Sequence, residues 1–268
     1  MTREDRIART FADFRARRRA ALVGYLTAFD PDRETSYARI SAALRAGVDV
    51  LELGVPFSDP TADGPVVQGA MLRARAAGAT LAGVLQLATR LRAEHPQVPI
   101  VLFSYANPLL RLGEEVGARL SGAGIDAALV VDLPAEHAAE LREPLRAASV
   151  GWVGLVAPTT PAQRLPGAAA VATAFVYAVT LRGVTGAALD ADRSELSDQL
   201  RALRAHTTLP IAAGFGVRTP QQAATLARHA DGVVVGSALI EASQRGEDEL
   251  VATVGSLAAA LAREEAGP

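Results

Sequence analysis

The 268-residue chain has no cysteine, and because it has no lysine either, all 27 of its basic side chains are arginine. Without cysteine there is no disulfide framework, no thiolate nucleophile and no Cys-ligated zinc or iron–sulfur centre. Without lysine there is no Schiff base, so neither a pyridoxal phosphate enzyme nor an amine-forming aldolase can be housed in this chain alone. Strong charge of one sign is also missing. The balance of 27 basic and 29 acidic residues leaves a net charge of −2, which gives no reason to expect a nucleic acid or an anionic membrane as partner. No apolar run reaches the roughly 18 residues of a membrane span without a charge, Gly or Pro. The first twenty residues are charged throughout and lack the apolar core of a signal peptide, so a cytoplasmic setting is expected. Asparagine occurs once, at Asn107, and coding bias alone would account for both scarcities.

What is present is a recurring short apolar run rich in Val, Ile, Leu and Ala. Eight such runs occur, at 21–26, 48–53, 98–103, 125–131, 150–156, 174–179, 209–213 and 231–235. They are near-continuous rather than alternating, as parallel strands covered on both faces are. Between them lie stretches with a 3.6-residue apolar period, at 34–46, 80–94, 111–122, 137–148, 192–205, 220–229 and 247–263. Eight strands alternating with helices predict an α/β fold, a single (β/α)8 TIM barrel over residues 1–268, with no composition break to mark a second domain.

Two features exceed the minimal repeat. Residues 1–19 set Ile7, Phe11 and Phe14 at helical spacing and predict an additional N-terminal amphipathic helix packed on the barrel. Its Arg17–Arg18–Arg19 run reads as solvated charge favourable to a helix C-terminus. The second feature is the long gap after the second strand, which holds a loop at 54–65 and a short helix at 66–77 before the regular helix. Long loops after barrel strands are where function is usually placed.

Glu52 ends the otherwise apolar run VDVLEL, on the barrel face where active sites are built, and a carboxylate there is costly unless paired or used. It is a candidate acid or base with a raised pKa, with a satisfied structural carboxylate as the alternative. Asp59 and Asp63 follow in GVPFSDPTADGP, where Asp also serves ordinary turns. At the other end of the chain, strand seven runs into Gly214–Phe215–Gly216, and strand eight into Gly236–Ser237 at the start of a short helix, 237–244. Glycines admit close backbone approach and a helix N-terminus offers free N–H groups, so this pair of loops predicts a phosphate cradle that needs no lysine. The segment Tyr177–Gly186 reads as a lid over the barrel mouth or as an ordinary connection. The four histidines have no metal-ligand spacing, so no metal site is expected, and Trp152 reads as core.

The run Glu52-Leu53-Gly54-Val55-Pro56-Phe57-Ser58-Asp59-Pro60, followed by Ala62-Asp63-Gly64-Pro65, resembles the signature of the tryptophan synthase alpha chain family. The similarity extends to Tyr105-Ala106-Asn107-Pro108, Asp132-Leu133-Pro134, Gly183-Val184-Thr185-Gly186, Gly214-Phe215-Gly216 and the stretch from Asp231 to Ala238, in the same order. The resemblance implies cleavage of indole-3-glycerol phosphate to indole and glyceraldehyde 3-phosphate. It implies that Glu52 is the general acid/base, that Asp63 pairs with the indole nitrogen and that Tyr177 helps to position Glu52. It further implies that Gly186, Gly216, Gly236 and Ser237 hold the phosphate, that Thr185 lies in the closing loop, and that Tyr25 and Phe103 line the indole pocket. A beta chain carrying pyridoxal phosphate is the implied partner, in an alpha2-beta2 complex, with Pro56, Asp59, Thr61, Asn107 and Pro134 on the surface that meets it. No cofactor is expected in this chain itself.

Three positions depart from the family pattern. Thr61 stands where a bulky apolar residue is usual, Phe29 replaces the usual Gly before Asp30, and Gly24 replaces the usual Pro beside Tyr25. A free-standing lyase that releases indole, and a barrel that chiefly activates a partner, are the alternatives to an ordinary alpha subunit. Related phosphate-binding barrels are separated by inventory. Indole-glycerol-phosphate synthase and orotidine-phosphate decarboxylase rely on a catalytic lysine and phosphoribosylanthranilate isomerase on a cysteine, none of which this chain possesses.

Overall fold

The computed structural model describes residues 3–157, 159–180, 189–214 and 216–262, with side chains from Arg6 onward and, in the helix Leu189–Arg204, from Ser197. All eight expected strands form. They are β1 (Ala21–Thr27), β2 (Val50–Gly54), β3 (Ile100–Ser104), β4 (Ala127–Val130), a fifth strand in two pieces, β5 (Gly151–Trp152) and β6 (Gly154–Val156), then β7 (Val176–Ala178), β8 (Ile211–Ala213) and β9 (Gly232–Val235). Every pairing is parallel, in the order β5-β4-β3-β2-β1-β9-β8-β7-β6.

The two ends of that order are one residue apart, at Val153. Its N–H donates to the Ala128 carbonyl at 2.9 Å, toward β4, whereas the N–H of Gly154 donates to Phe175 at 3.1 Å, toward β7. The fifth strand therefore hands its hydrogen bonds from one neighbour to the other within two residues, and the sheet closes into the (β/α)8 barrel.

Near-continuous apolarity along each strand follows from burial on both faces. Val23, Tyr25, Val50, Val101, Phe103 and Leu129 point into the barrel, while Leu22, Leu51, Leu53 and Leu102 pack outward with the helices. Trp152 is buried in that outer layer. The helices follow the expected ranges closely, including Arg33–Ala46, Pro65–Ala76, Leu81–Glu94 and Glu247–Ala260. Two are additional. Ala106–Leu110 opens the connection after β3, and Leu165–Val171, LPGAAAV, has too few polar residues to produce an amphipathic period.

The N-terminal helix runs Arg3–Ala16 and closes the bottom of the barrel. Ile7 and Phe11 are buried in the interior cluster, with the Phe11 and Phe175 rings 5.5 Å apart. Three aspartates just ahead of barrel strands hold this end. Asp49 accepts from Leu22 N–H at 2.7 Å, Asp126 from Ile100 N–H at 2.7 Å and Asp231 from Ile211 N–H at 2.9 Å. Each also takes an arginine from the N-terminal segment: Arg19 on Asp49 at 2.8 Å, Arg6 on Asp126 at 2.7 Å and Arg15 on Asp231 at 3.1 Å. The expectation of a solvated Arg17–Arg19 run is corrected at Arg19. Its guanidinium is ion-paired and lies 4.5 Å over the Phe14 ring, because the helix end is folded back against the turn before β2.

Candidate active site

The top of the barrel, at the C-terminal ends of the strands, carries a cavity of about 260 Å³ lined by Tyr25, Glu52, Asp63, Phe103, Tyr177, Gly216, Arg218, Gly236 and Ser237 among others. Strand register brings its parts together. Tyr25 is opposite Glu52 across β1 and β2, and Glu52 opposite Val101 across β2 and β3. Gly54, at the end of β2, lets Tyr25 lie flat across it, since a Cβ there would sit 2.4 Å from the Tyr25 hydroxyl. Tyr25 and Phe103 meet edge-to-face with centroids 4.8 Å apart, forming an aromatic wall.

Glu52 is 1% exposed and its Oε1 has no hydrogen-bond partner among the described residues. Desolvation by burial pushes its pKa up to about 8. An unpartnered buried acid is costly to folding, so a group aimed into a cavity in this way marks a place for a ligand. Asp63 comes from the loop after β2. Burial pushes its pKa up to about 6, opposed by the hydrogen bond from Tyr105. The Tyr105 hydroxyl donates to Asp63 Oδ2 at 2.7 Å and accepts from Ala62 N–H at 3.0 Å, fixing the loop and its carboxylate together. Phe57 stacks on Tyr105, centroids 4.7 Å apart, and supports it from the loop.

The Tyr177 hydroxyl donates to the Gly214 carbonyl at 3.0 Å. It lines the same cavity as Glu52, but its hydrogen bond runs to the loop after β8, and burial and the nearby carboxylates push its pKa far up. Gly216 takes φ +67°, a conformation that favours glycine, and Gly236 caps the helix Ser237–Arg245. The carbonyl of Gly236 accepts from Leu239 and Ile240, so the N–H groups of Ser237 and Ala238, at the start of the helix, have no intrahelical acceptor, and Gly236 and Ser237 line the cavity. Thr185, Gly186 and most of the expected lid lie outside the described residues, as does Phe215.

Pro56, Asp59, Thr61, Asn107 and Pro134 are all at least partly exposed in the loops above β2, β3 and β4. Pro56, Asp59 and Asn107 line one further cavity of about 500 Å³, together with Phe57, Arg75 and Arg111. Pro134 borders another of about 300 Å³ over Trp152. Among the described residues, no three His, Asp or Glu side chains come together as metal ligands would, and no helix is long and apolar enough to cross a membrane.

The whole arrangement has counterparts. The family model described as tryptophan synthase alpha chain matches residues 11–266. The chain belongs to the tryptophan synthase alpha chain family. A solved chain from Aquifex aeolicus VF5 is 35% identical with a TM-score of 0.89, covering 97% of this chain and 99% of that one. Mycobacterium tuberculosis tryptophan synthase is 33% identical with a TM-score of 0.88, covering 96% and 98%. The tryptophan synthase alpha chain of Legionella pneumophila is 32% identical with a TM-score of 0.87, over 100% of both chains. The alpha-chain reaction is the carbon–carbon lyase step of tryptophan biosynthesis, cleaving indole-3-glycerol phosphate to indole and glyceraldehyde 3-phosphate, and that is the reaction of this chain.

Two residues that brace or line this cavity received no role from sequence. Tyr105 stands directly after β3 in the quoted Tyr105–Pro108 motif, but its hold on Asp63 spans 42 residues and appears only in three dimensions. Arg218 lines the cavity two residues beyond Gly216, and that closeness in sequence to the Gly214–Gly216 loop was the available signal.

Proposed function

We propose that Glu52 and Asp63 divide the work of this lyase by protonation state. The observation that carries the reading is the contrast in their surroundings: Glu52 is buried with Oε1 unpartnered, which pushes its pKa up to about 8 and favours the acid, whereas Asp63 accepts from the Tyr105 hydroxyl, which opposes its desolvation and favours the anion at neutral pH. Glu52 delivers its proton to indole C3. The ring nitrogen then bears positive charge, which ionised Asp63 stabilises while accepting its N–H. Glu52, now a carboxylate, takes the proton of the hydroxyl on the carbon bonded to C3. The C3–carbon bond breaks, its electron pair returns to the ring to restore neutral indole, and the former hydroxyl carbon becomes the aldehyde of glyceraldehyde 3-phosphate. One proton enters and one leaves, so Glu52 finishes in its starting state.

In this reading the indole ring lies against Tyr25 and Phe103. The phosphate sits on Gly216, Gly236 and the helix start at Ser237, with Thr185 and Gly186 closing over it. Tyr177 acts by position, braced on Gly214. The chain works as one domain without a cofactor of its own, and its loops bearing Pro56, Asp59, Thr61, Asn107 and Pro134 meet a beta chain, whose pyridoxal phosphate chemistry consumes the indole, in an alpha2-beta2 complex.

Glu52→Gln tests the assignment. Indole formation should fall by at least about 10³-fold, within the span attributed to a positioned acid–base group, while the affinity for glycerol 3-phosphate stays within about threefold. Near-normal turnover in this variant removes Glu52 from the mechanism.

A further inference from the structure

We infer that Arg218 is the cation that faces the substrate's phosphate in this barrel, and that Glu241 is a latch that holds its guanidinium at the cavity rim and competes for it. The inference rests on the reading that this cavity takes a phosphate ester, and it adds a residue and a control point to it.

Arg218 lines the same cavity as Gly216, Gly236 and Ser237, and the same cavity into which Glu52 projects its unpartnered Oε1. Its two terminal nitrogens donate to the two carboxylate oxygens of Glu241, at 2.7 and 3.0 Å. Glu241 lies four residues beyond Ser237, one turn along the helix Ser237–Arg245, so the fork binds the guanidinium to the helix whose free N–H groups form the cradle. The backbone is fixed as well. Arg218 N–H donates to Gln222 Oε1 at 2.7 Å, and Gln222 completes a capping box with Thr219 on the next helix. Arg218 and Glu241 side chains remain 52% and 32% exposed, which suits a rim pair open to exchange rather than a buried structural one.

The charge inventory gives this cation a task. The cavity already holds the carboxyl groups of Glu52 and Asp63, and a phosphate monoester adds up to two more negative charges. A helix N-terminus offers the equivalent of only about half a positive charge. The chain contains no lysine, and Arg218 is the one cationic side chain among the described residues lining the cavity. A guanidinium carries five donors, of which the Glu241 fork uses two, leaving donors for a phosphate oxygen. Glu241 keeps the long side chain from straying and also draws on its charge.

Calorimetric titration of the full chain with glycerol 3-phosphate and, separately, with indole tests both parts. Arg218→Gln should weaken glycerol 3-phosphate binding about tenfold, the loss expected of one charge-assisted contact, with indole binding unchanged. Arg218→Lys should recover most of that loss, and Glu241→Gln should bind glycerol 3-phosphate at least as tightly as wild type. Thermal unfolding of each variant identifies any that fails to fold, and the lysine variant then carries the test. Equal weakening by Arg218→Gln and Glu241→Gln would make the pair a fastening of the loop and overturn the inference. So would wild-type affinity in Arg218→Gln. A wild-type chain that binds indole but no glycerol 3-phosphate would instead overturn the underlying reading of the cavity.

Discussion

Arg6 Nη1 donates to Asp126 Oδ1 at 2.7 Å, joining the N-terminal helix to the turn before β4 across 120 residues of chain. The carboxylate is fully buried, and its other oxygen is shared by Arg92 and the N–H of Ile100. Removing the acid takes the carboxylate from two largely buried guanidinium groups, Arg6 and Arg92, which keep only backbone carbonyls such as those of Pro96 and Gly124 opposite their charge, and it leaves the Ile100 N–H without its acceptor. Asp126→Ala should therefore cost about 3–5 kcal/mol, the range for breaking one side of a buried pair, whereas Arg6→Ala should cost clearly less because Asp126 keeps Arg92. Denaturant unfolding of the two variants checks the order. Equal and small losses would mean that helix docking depends on Ile7 and Phe11 alone.

Activity should follow a bell in pH. The proton donor must be protonated, so the upper limb of kcat/KM falls as pH rises through about 8, the value for Glu52. Asp63 must be ionised, so the lower limb falls as pH drops through about 6. The maximum should lie near neutrality. A profile flat from about pH 5 to 9 in the free enzyme would separate neither role.

Stability carries the opposite signature of the same acid. Because the folded pKa of Glu52 is raised from 4.5 to about 8, its contribution is fully present below about 4.5 and is lost as pH rises through 8. Glu52→Gln abolishes that loss, so the variant should gain a few kcal/mol on wild type at pH 8 and little at pH 4. Chemical denaturation at the two pH values measures the difference, and an equal effect at both would contradict the burial argument.

Phe29 occupies φ +67°, a backbone conformation that favours glycine. Its N–H is held by Ser36 Oγ at 3.0 Å and its ring packs against Gly83, where a Cβ would approach the ring to 2.8 Å. Glycine there would relieve about 1–2 kcal/mol of backbone strain but remove a buried aromatic worth about 3–5 kcal/mol. Phe29→Gly should thus lower stability by roughly 2 kcal/mol. A more stable variant would mean that strain outweighs packing at this turn.

Turnover should rise steeply when a cognate beta chain is titrated in, since the loops carrying Asp59, Asp63 and Asn107 lie side by side above β2 and β3. A rate unchanged at saturation would favour the free-standing lyase.

Most of the barrel was legible because parallel strands buried on both faces must be apolar along their whole length, and eight such runs exist. The seam at Val153 was not, because a change of hydrogen-bonding partner leaves no trace in composition. The helix Leu165–Val171 was missed for want of a polar face, and Arg19 was misread because its partner, Asp49, is brought to it by the fold. At the site, Glu52 was conspicuous as the one charge ending an apolar strand. Tyr105 and Arg218 were not, since neither residue type is unusual where it stands and their significance lies in what they touch.

The N-terminal segment through Arg19 also sets an order of assembly. Its arginines await Asp49, Asp126 and Asp231, which lie 30, 120 and 216 residues from Arg19, Arg6 and Arg15 respectively. The contacts that seat this segment close over some of the longest stretches of the chain, so Ile7 and Phe11 are fully covered only once the strands after Asp126 and Asp231 are in place. The arginines that bind the three aspartates flank those apolar residues in the sequence, so the same charges that fasten the finished barrel also break up the apolar character of the segment before it docks.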